Sequence, residues 1–136
     1  MSALQGKRVL FGVTGSIAAY KAAEWVRALV QEEALVQVIL TEAAERFVTP
    51  LSFATLSGAP VQRDLFAGTG EDPIMHISLS READVFLIAP ASAQTIAKLA
   101  TGMADNLLTA AVLAARIPVL LCPAMNVNMY RHPATQ

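Results

Sequence analysis

Four short segments of this 136-residue chain carry side chains suited to holding a ligand. The first, Gly12-Val-Thr-Gly-Ser-Ile-Ala18, follows an apolar run and opens a helical one. Free N–H groups at such a helix start, the helix dipole and the Ser16 hydroxyl suit a phosphate. The segment is neither a G-x-x-x-x-G-K-[ST] loop nor a G-x-G-x-x-G fingerprint, which disfavours nucleoside triphosphate hydrolysis. Thr41 stands where a dinucleotide site offers an acid to the ribose, and Glu42 comes one residue late. A single terminal phosphate is therefore the better fit. A tight turn at Gly15 with Ser16 as a helix cap accounts for the same residues without a ligand. Both readings stand.

Pro90-Ala-Ser-Ala-Gln-Thr95 is a small, polar segment able to hydrogen-bond a flat heterocycle without blocking it. An ordinary loop with a helix cap is the alternative. His76, one of two histidines, is a candidate general base, since an imidazole can serve as one near neutral pH, although a lone histidine is also a common surface or capping residue. In Pro123-Ala-Met-Asn-Val-Asn-Met-Tyr130, the amides of Asn126 and Asn128 can hold a carboxylate or an amide. Met125, Met129 and Tyr130 offer apolar walls beside them. Cys122 ends an apolar strand and reads as a small buried hydrophobe rather than a nucleophile. No His, Cys, Asp or Glu group has ligand spacing, so no metal site is expected. There is no G-x-S-x-G elbow either.

Elements of two periods must position these segments. Lys7–Val13, Leu35–Leu40, Asp84–Ala89 and Ile117–Cys122 are apolar runs that predict buried strands, the last two stopped by Pro90 and Pro123. Ala18, Ala22, Trp25, Val26 and Leu29 recur at helical spacing. One or two helical turns are expected over Glu42–Phe47, and Pro50 interrupts before a helix restarts over Leu51–Leu56. Gln94–Ala100 and Asp105–Ala115 predict helices split by Gly102, and Gly68, Gly70, Asp72 and Pro73 mark an exposed, mobile loop. Continuous apolar strands separated by helices predict an α/β, doubly wound, mainly parallel sheet with helices on both faces, in a single domain. Ligands of such sheets bind outside the carboxyl ends of the strands, where all four polar segments fall.

Composition narrows the function. Hydrophobic residues make up 54% of the chain and charged residues 15%, against a usual charged share of about 25%. That excess predicts a well-buried core and partner subunits over part of the apolar surface. A net charge of −1 offers no basic field for nucleic acid or an acidic membrane surface. No apolar run reaches the roughly 18 residues of a membrane span. One cysteine allows no internal disulfide and suits a reducing, cytoplasmic setting.

Gly12–Lys21, His76-Ile-Ser-Leu79, Pro90–Thr95 and Pro123–Tyr130, in this order, resemble the homo-oligomeric flavin-containing cysteine decarboxylases, and the likeness runs from Lys7 to Pro133. The resemblance is strongest to the members that act on phosphopantothenoylcysteine. It implies a Rossmann-like flavoprotein fold with FMN bound non-covalently. Its phosphate would lie on Gly15, Ser16 and Ile17 with help from Thr41, and its ring near Ser92, Gln94 and Thr95. His76 matches the family's essential histidine, Asn126 the residue that holds the substrate carboxylate, and Met129 lies in the substrate-binding segment. The implied reaction uses the flavin to oxidise a C-terminal cysteine-type thiol to a thioaldehyde and loses the adjacent carboxylate to give an enethiol; in coenzyme A synthesis the reduced flavin then returns the electrons and yields 4′-phosphopantetheine. The implied assembly is a homo-oligomer built on trimers.

The family often carries Asn at the position of Gln94 and Trp at that of Tyr130, both mild departures. It also continues into a Gly-rich closing segment with a reducing cysteine, so residues 1–136 are expected to be an FMN-binding domain truncated at its C-terminus. Two alternatives share the fold: a flavin prenyltransferase and a non-catalytic FMN-binding regulatory subunit. The presence of both His76 and Asn126 favours the decarboxylase.

Overall fold

The computed structural model describes residues 2–66 and 75–136; the side chains of Met75 and His76 also fall outside the description. Four strands, β1 (Arg8–Val13), β2 (Leu35–Leu40), β3 (Val85–Ala91) and β4 (Val119–Pro123), form one parallel sheet in the order β2-β1-β3-β4. A 3-10 turn (Ile17–Lys21) and helix α1 (Ala22–Gln31) connect β1 to β2. Helices α2 (Pro50–Ser57) and α3 (Met75–Glu82) precede β3, α4 (Ala93–Thr101) and α5 (Leu107–Ala114) precede β4, and α6 (Val127–Arg131) follows it.

Period-two alternation divides the core between the sheet's faces. Val9, Phe11 and Val13 of β1 join Val36, Val38 and Leu40 of β2 against Ala22 and Val26 of α1 and Phe53 of α2. Leu10, Ile39, Phe86 and Ile88 turn the other way, onto Leu107, Leu108 and Ala111 of α5. Covering both faces is what makes β1 to β3 read as unbroken apolar runs. Gly12 belongs to the α5 face, where an added Cβ would lie 2.6 Å from Leu108 Cδ1. The close approach of helix to strand depends on that missing side chain.

Several local expectations are corrected. The expected helix from Ala18 begins instead as a 3-10 turn, because Ser16 caps it by accepting from the nearby Ala18 N–H (3.3 Å). Pro50 is the first residue of α2 rather than an interruption, consistent with its fixed φ and missing donor. Over Glu42–Phe47 one of the expected one or two helical turns forms, as the 3-10 turn Ala44–Arg46. The sequence predicts no helix at α3, which meets the α5 face through Leu79 and through the Ser80 hydroxyl, donating to the Ala111 carbonyl (2.6 Å).

Pro90 does not stop β3. A proline removes a donor only, and its carbonyl still accepts from the Thr14 N–H (3.3 Å) while the pairing with β4 shifts register between Ile88 and Ala91. Likewise β4 includes Pro123. Cys122 is exposed, not buried: Val119 packs on the α5-side core, but beyond it the edge strand β4 leaves Leu120 and Leu121 56% and 39% exposed. The expected loop at Gly68, Gly70, Asp72 and Pro73 lies outside the described residues. No described helix is long and apolar enough to cross a membrane.

Candidate functional site

The switch point of this sheet lies between β1 and β3, since the chain leaves β1 toward β2 on one side and returns to β3 on the other. Thr14 ties the two strand ends together there. It is fully buried, its hydroxyl donates to the Pro90 carbonyl (2.6 Å), and the same oxygen accepts from the Ser92 N–H (2.8 Å). Ser92 in turn caps α4 by accepting from the Thr95 N–H (3.2 Å). The β3–α4 loop is thus set by β1, across 78 residues of sequence.

Beside this junction a cleft of about 1040 Å³ opens along the carboxyl ends of β1, β2 and β3. Gly15, Thr41, Ser92, Gln94 and Thr95 all line it. At its inner end the β1 and β2 turns touch: a Cβ on Gly15 would stand 2.5 Å from the Cβ of Ala43. Thr41 is 8% exposed and accepts from the Ala44 N–H (3.1 Å), while its own hydroxyl proton finds no acceptor among the described residues. The N–H groups of Gly15, Glu42 and Ala43 likewise have no partner among the described residues. A buried hydroxyl donor and three backbone donors beside a glycine that admits no side chain make a cradle for a phosphate. The residues present therefore fit a mononucleotide's phosphate, and Gln94 on the same wall offers amide donor and acceptor to a ring.

Ser16, Ile17, Asn126 and Met129 do not line this cleft. Ile17 is 79% exposed, and the Ser16 hydroxyl is engaged at the helix cap and, at 3.4 Å, with the Ala124 carbonyl. That last contact joins the β1 turn to the segment after β4, which the Ala124 N–H also ties to the Ala91 carbonyl (3.1 Å). Asn126 and Met129 are therefore at the same carboxyl edge, two and five residues beyond Ala124, and both are exposed. Asn126 Oδ1 accepts from the Asn128 N–H (2.8 Å) as the cap of α6. With Oδ1 so engaged, the amide NH₂ of Asn126 is the end left to donate. His76 falls in the first turn of α3, and its side chain lies outside the described residues. Among the described residues no cluster of three or more His, Cys, Asp and Glu could hold a metal ion.

The model of the Flavoprotein family matches residues 1–136, the whole chain. The chain belongs to the flavoprotein family. This flavoprotein is 48% identical over its full length to the coenzyme A biosynthesis bifunctional protein CoaBC of Vibrio cholerae, of which it covers 34%. It is 50% identical over 129 residues to CoaBC of Mycobacterium tuberculosis, covering 95% of this chain and 30% of that protein. The chain thus spans about a third of the length of the curated relatives it matches. Among solved structures, the FMN-dependent cysteine decarboxylase SpaF superposes with a TM-score of 0.89 at 35% identity, covering 98% of this chain and 77% of that one. A PPC decarboxylase mutant complexed with pantothenoylaminoethenethiol gives a TM-score of 0.80 at 35% identity, covering 96% and 74%. The doubly wound, flavoprotein-like fold expected from the sequence is the fold observed.

Among the cleft residues that sequence reasoning passed over are Arg46, Arg63, Lys98 and Asn106. Asn106 had a signal, since with Thr109 it forms a capping box at α5. The three basic residues had none, because each sits alone on an otherwise ordinary stretch.

Proposed function

We propose that this chain binds FMN and decarboxylates phosphopantothenoylcysteine, the cysteine-type thiol and carboxylate being the reacting end. The observation that carries the reading is the neutral phosphate cradle formed where Gly15 meets Ala43 beside the orphan Thr41 hydroxyl, at the carboxyl ends of β1 and β2. Its donors are uncharged and few, which suits one phosphate. The relatives' FMN and cysteine-decarboxylase chemistry supports the same reading.

When bound, FMN would accept the two electrons removed from the thiol-bearing carbon and, once reduced, return them to the enethiol left by loss of CO₂. The chain's own residues supply binding and proton handling. Gly15, Thr41 and the Ala43 turn receive the phosphate, with Ser16 and Ile17 completing the β1 turn. Ser92, Gln94 and Thr95 address the ring. Asn126 donates its amide NH₂ to the substrate carboxylate; a neutral donor holds that group without an ion pair that would oppose loss of CO₂. His76 takes the proton as oxidation begins. Met129 gives the substrate an apolar wall.

The protein works as a homo-oligomer built on trimers, in the cytoplasm. Exposed Ile17, Tyr20, Leu120, Leu121, Val127 and Met129 support the oligomer, since a monomer would leave them wet. Sedimentation of the flavin-loaded protein as a monomer at micromolar concentration would remove that part of the reading.

The deciding experiment releases the chromophore of the purified protein, identifies it, and then supplies phosphopantothenoylcysteine while CO₂ is measured. FMN and carboxylate-dependent CO₂ release are expected. A dinucleotide in the released fraction, or no CO₂ from FMN-loaded protein, overturns the proposal.

A further inference from the structure

Among the described residues the cleft carries three basic side chains, and two are already matched. Arg63 Nη2 lies 2.6 Å from Glu45 Oε1, and Lys98 Nζ lies 3.0 Å from Asp105 Oδ1, with all four residues in the cleft lining. Arg46 is the third. It is exposed, lines the same cleft, and has no acidic partner within ion-pair distance among the described residues. It ends the 3-10 turn Ala44–Arg46, and its backbone N–H donates to the Ala43 carbonyl at 3.1 Å. That hydrogen bond joins Arg46 to the turn that closes against Gly15.

The balance of charge makes the position matter. Among the described residues four acidic side chains, Glu42, Glu45, Asp64 and Asp105, line the cleft as well. Once Arg63 and Lys98 are paired, a dianion entering this space meets Glu42 and Asp64 with only Arg46 to offset them. A guanidinium suits that task, because its planar donors match two phosphate oxygens at once and its charge persists at all working pH values.

We infer that Arg46 holds a phosphomonoester dianion in this cleft, carried by the flavin or by the phosphorylated substrate. The inference rests on the flavin-dependent reading above and adds a residue that the cradle of neutral donors does not contain. Because Arg46 is exposed, its contribution is screened by water and salt. The effect belongs at the lower end of that for hydrogen bonds to charged groups, about tenfold in affinity.

The test compares wild type with Arg46→Gln and Arg46→Lys in two pairs of ligands. FMN and riboflavin are titrated by flavin fluorescence, and 4′-phosphopantetheine and pantetheine are titrated calorimetrically onto flavin-loaded protein. Arg46→Gln is expected to weaken the phosphorylated member of one pair about tenfold and leave its dephosphorylated partner unchanged. Arg46→Lys recovers part of the loss. The difference shrinks in 1 M salt, where screening extends over only about 3 Å. A changed FMN-to-riboflavin ratio assigns Arg46 to the flavin, and a changed phosphopantetheine-to-pantetheine ratio assigns it to the substrate. Unchanged ratios in both pairs overturn the inference while leaving the flavin reading intact. Wild-type protein that binds neither flavin overturns both.

Discussion

Replacing Gly15 with alanine tests the geometry of the cleft most directly. Gly15 does not have a positive φ, so the substitution brings no backbone strain and the whole penalty is contact. The new Cβ would stand 2.5 Å from the Ala43 Cβ and 3.3 Å from the Ala43 carbonyl carbon. Carbon atoms pack at roughly 3.5–4.0 Å, so the two turns must separate by about 1 Å. No rotamer relieves the clash, because the Ala43 Cβ is fixed to its backbone. The separation also strains the bond from the Thr41 N–H to the Val13 carbonyl, 3.1 Å long. Overpacking of this kind costs about 1–3 kcal/mol, which lowers the midpoint of thermal unfolding by roughly 3–10 °C in a domain of this size. The phosphate cradle opens with it, and FMN affinity is expected to fall more than tenfold. Ala43→Gly removes the clashing methyl, at a cost of its own of about 0.5–1 kcal/mol. The paired Gly15→Ala, Ala43→Gly variant should therefore recover most of the loss, with a coupling energy of about 1–2 kcal/mol in a double-mutant cycle. Thermal denaturation and FMN titration of the four proteins give the answer. Strictly additive costs, or a Gly15→Ala variant with unchanged midpoint and FMN affinity, would refute the reasoning.

Thr14→Val keeps shape but leaves the Pro90 carbonyl and the Ser92 N–H without the hydroxyl that serves both, and is expected to cost about 1–3 kcal/mol in urea denaturation at constant m. Asn106→Ala removes the capping box of α5 and should cost about 1–2 kcal/mol, with Asn106→Asp losing far less; equal losses in both would count against the cap. His76→Asn should retain flavin, seen by absorbance, while CO₂ release falls by roughly 10²–10⁴-fold. Undiminished release takes His76 out of the mechanism.

The local pattern of residues carried the architecture. Val9 to Val13, and most of Val36 to Leu40 and Phe86 to Ala89, are buried, so their apolar runs were legible without knowing the partners that cover them. Helices α4 and α5 were legible for a similar reason: Ser92, Gly102 and Asn106 punctuate them through hydrogen bonds or a positive φ within a few residues. The segments at the strand ends could be named as the site because a parallel sheet puts its ligands there.

What those segments do for one another was decided by the tertiary structure. The contact of Gly15 with Ala43 and the latch of Thr14 on Pro90 and Ser92 join residues dozens of positions apart. Their distances come from strand register, which no local pattern encodes. The same holds for Cys122, apolar in its local run but exposed near the end of the edge strand β4. It holds as well for Arg46, Arg63 and Lys98, three isolated cations until the sheet order brings the ends of β1, β2 and β3 around one cleft. Periodicity reports which side of an element is buried, and only the packed sheet determines which residues meet at its edge.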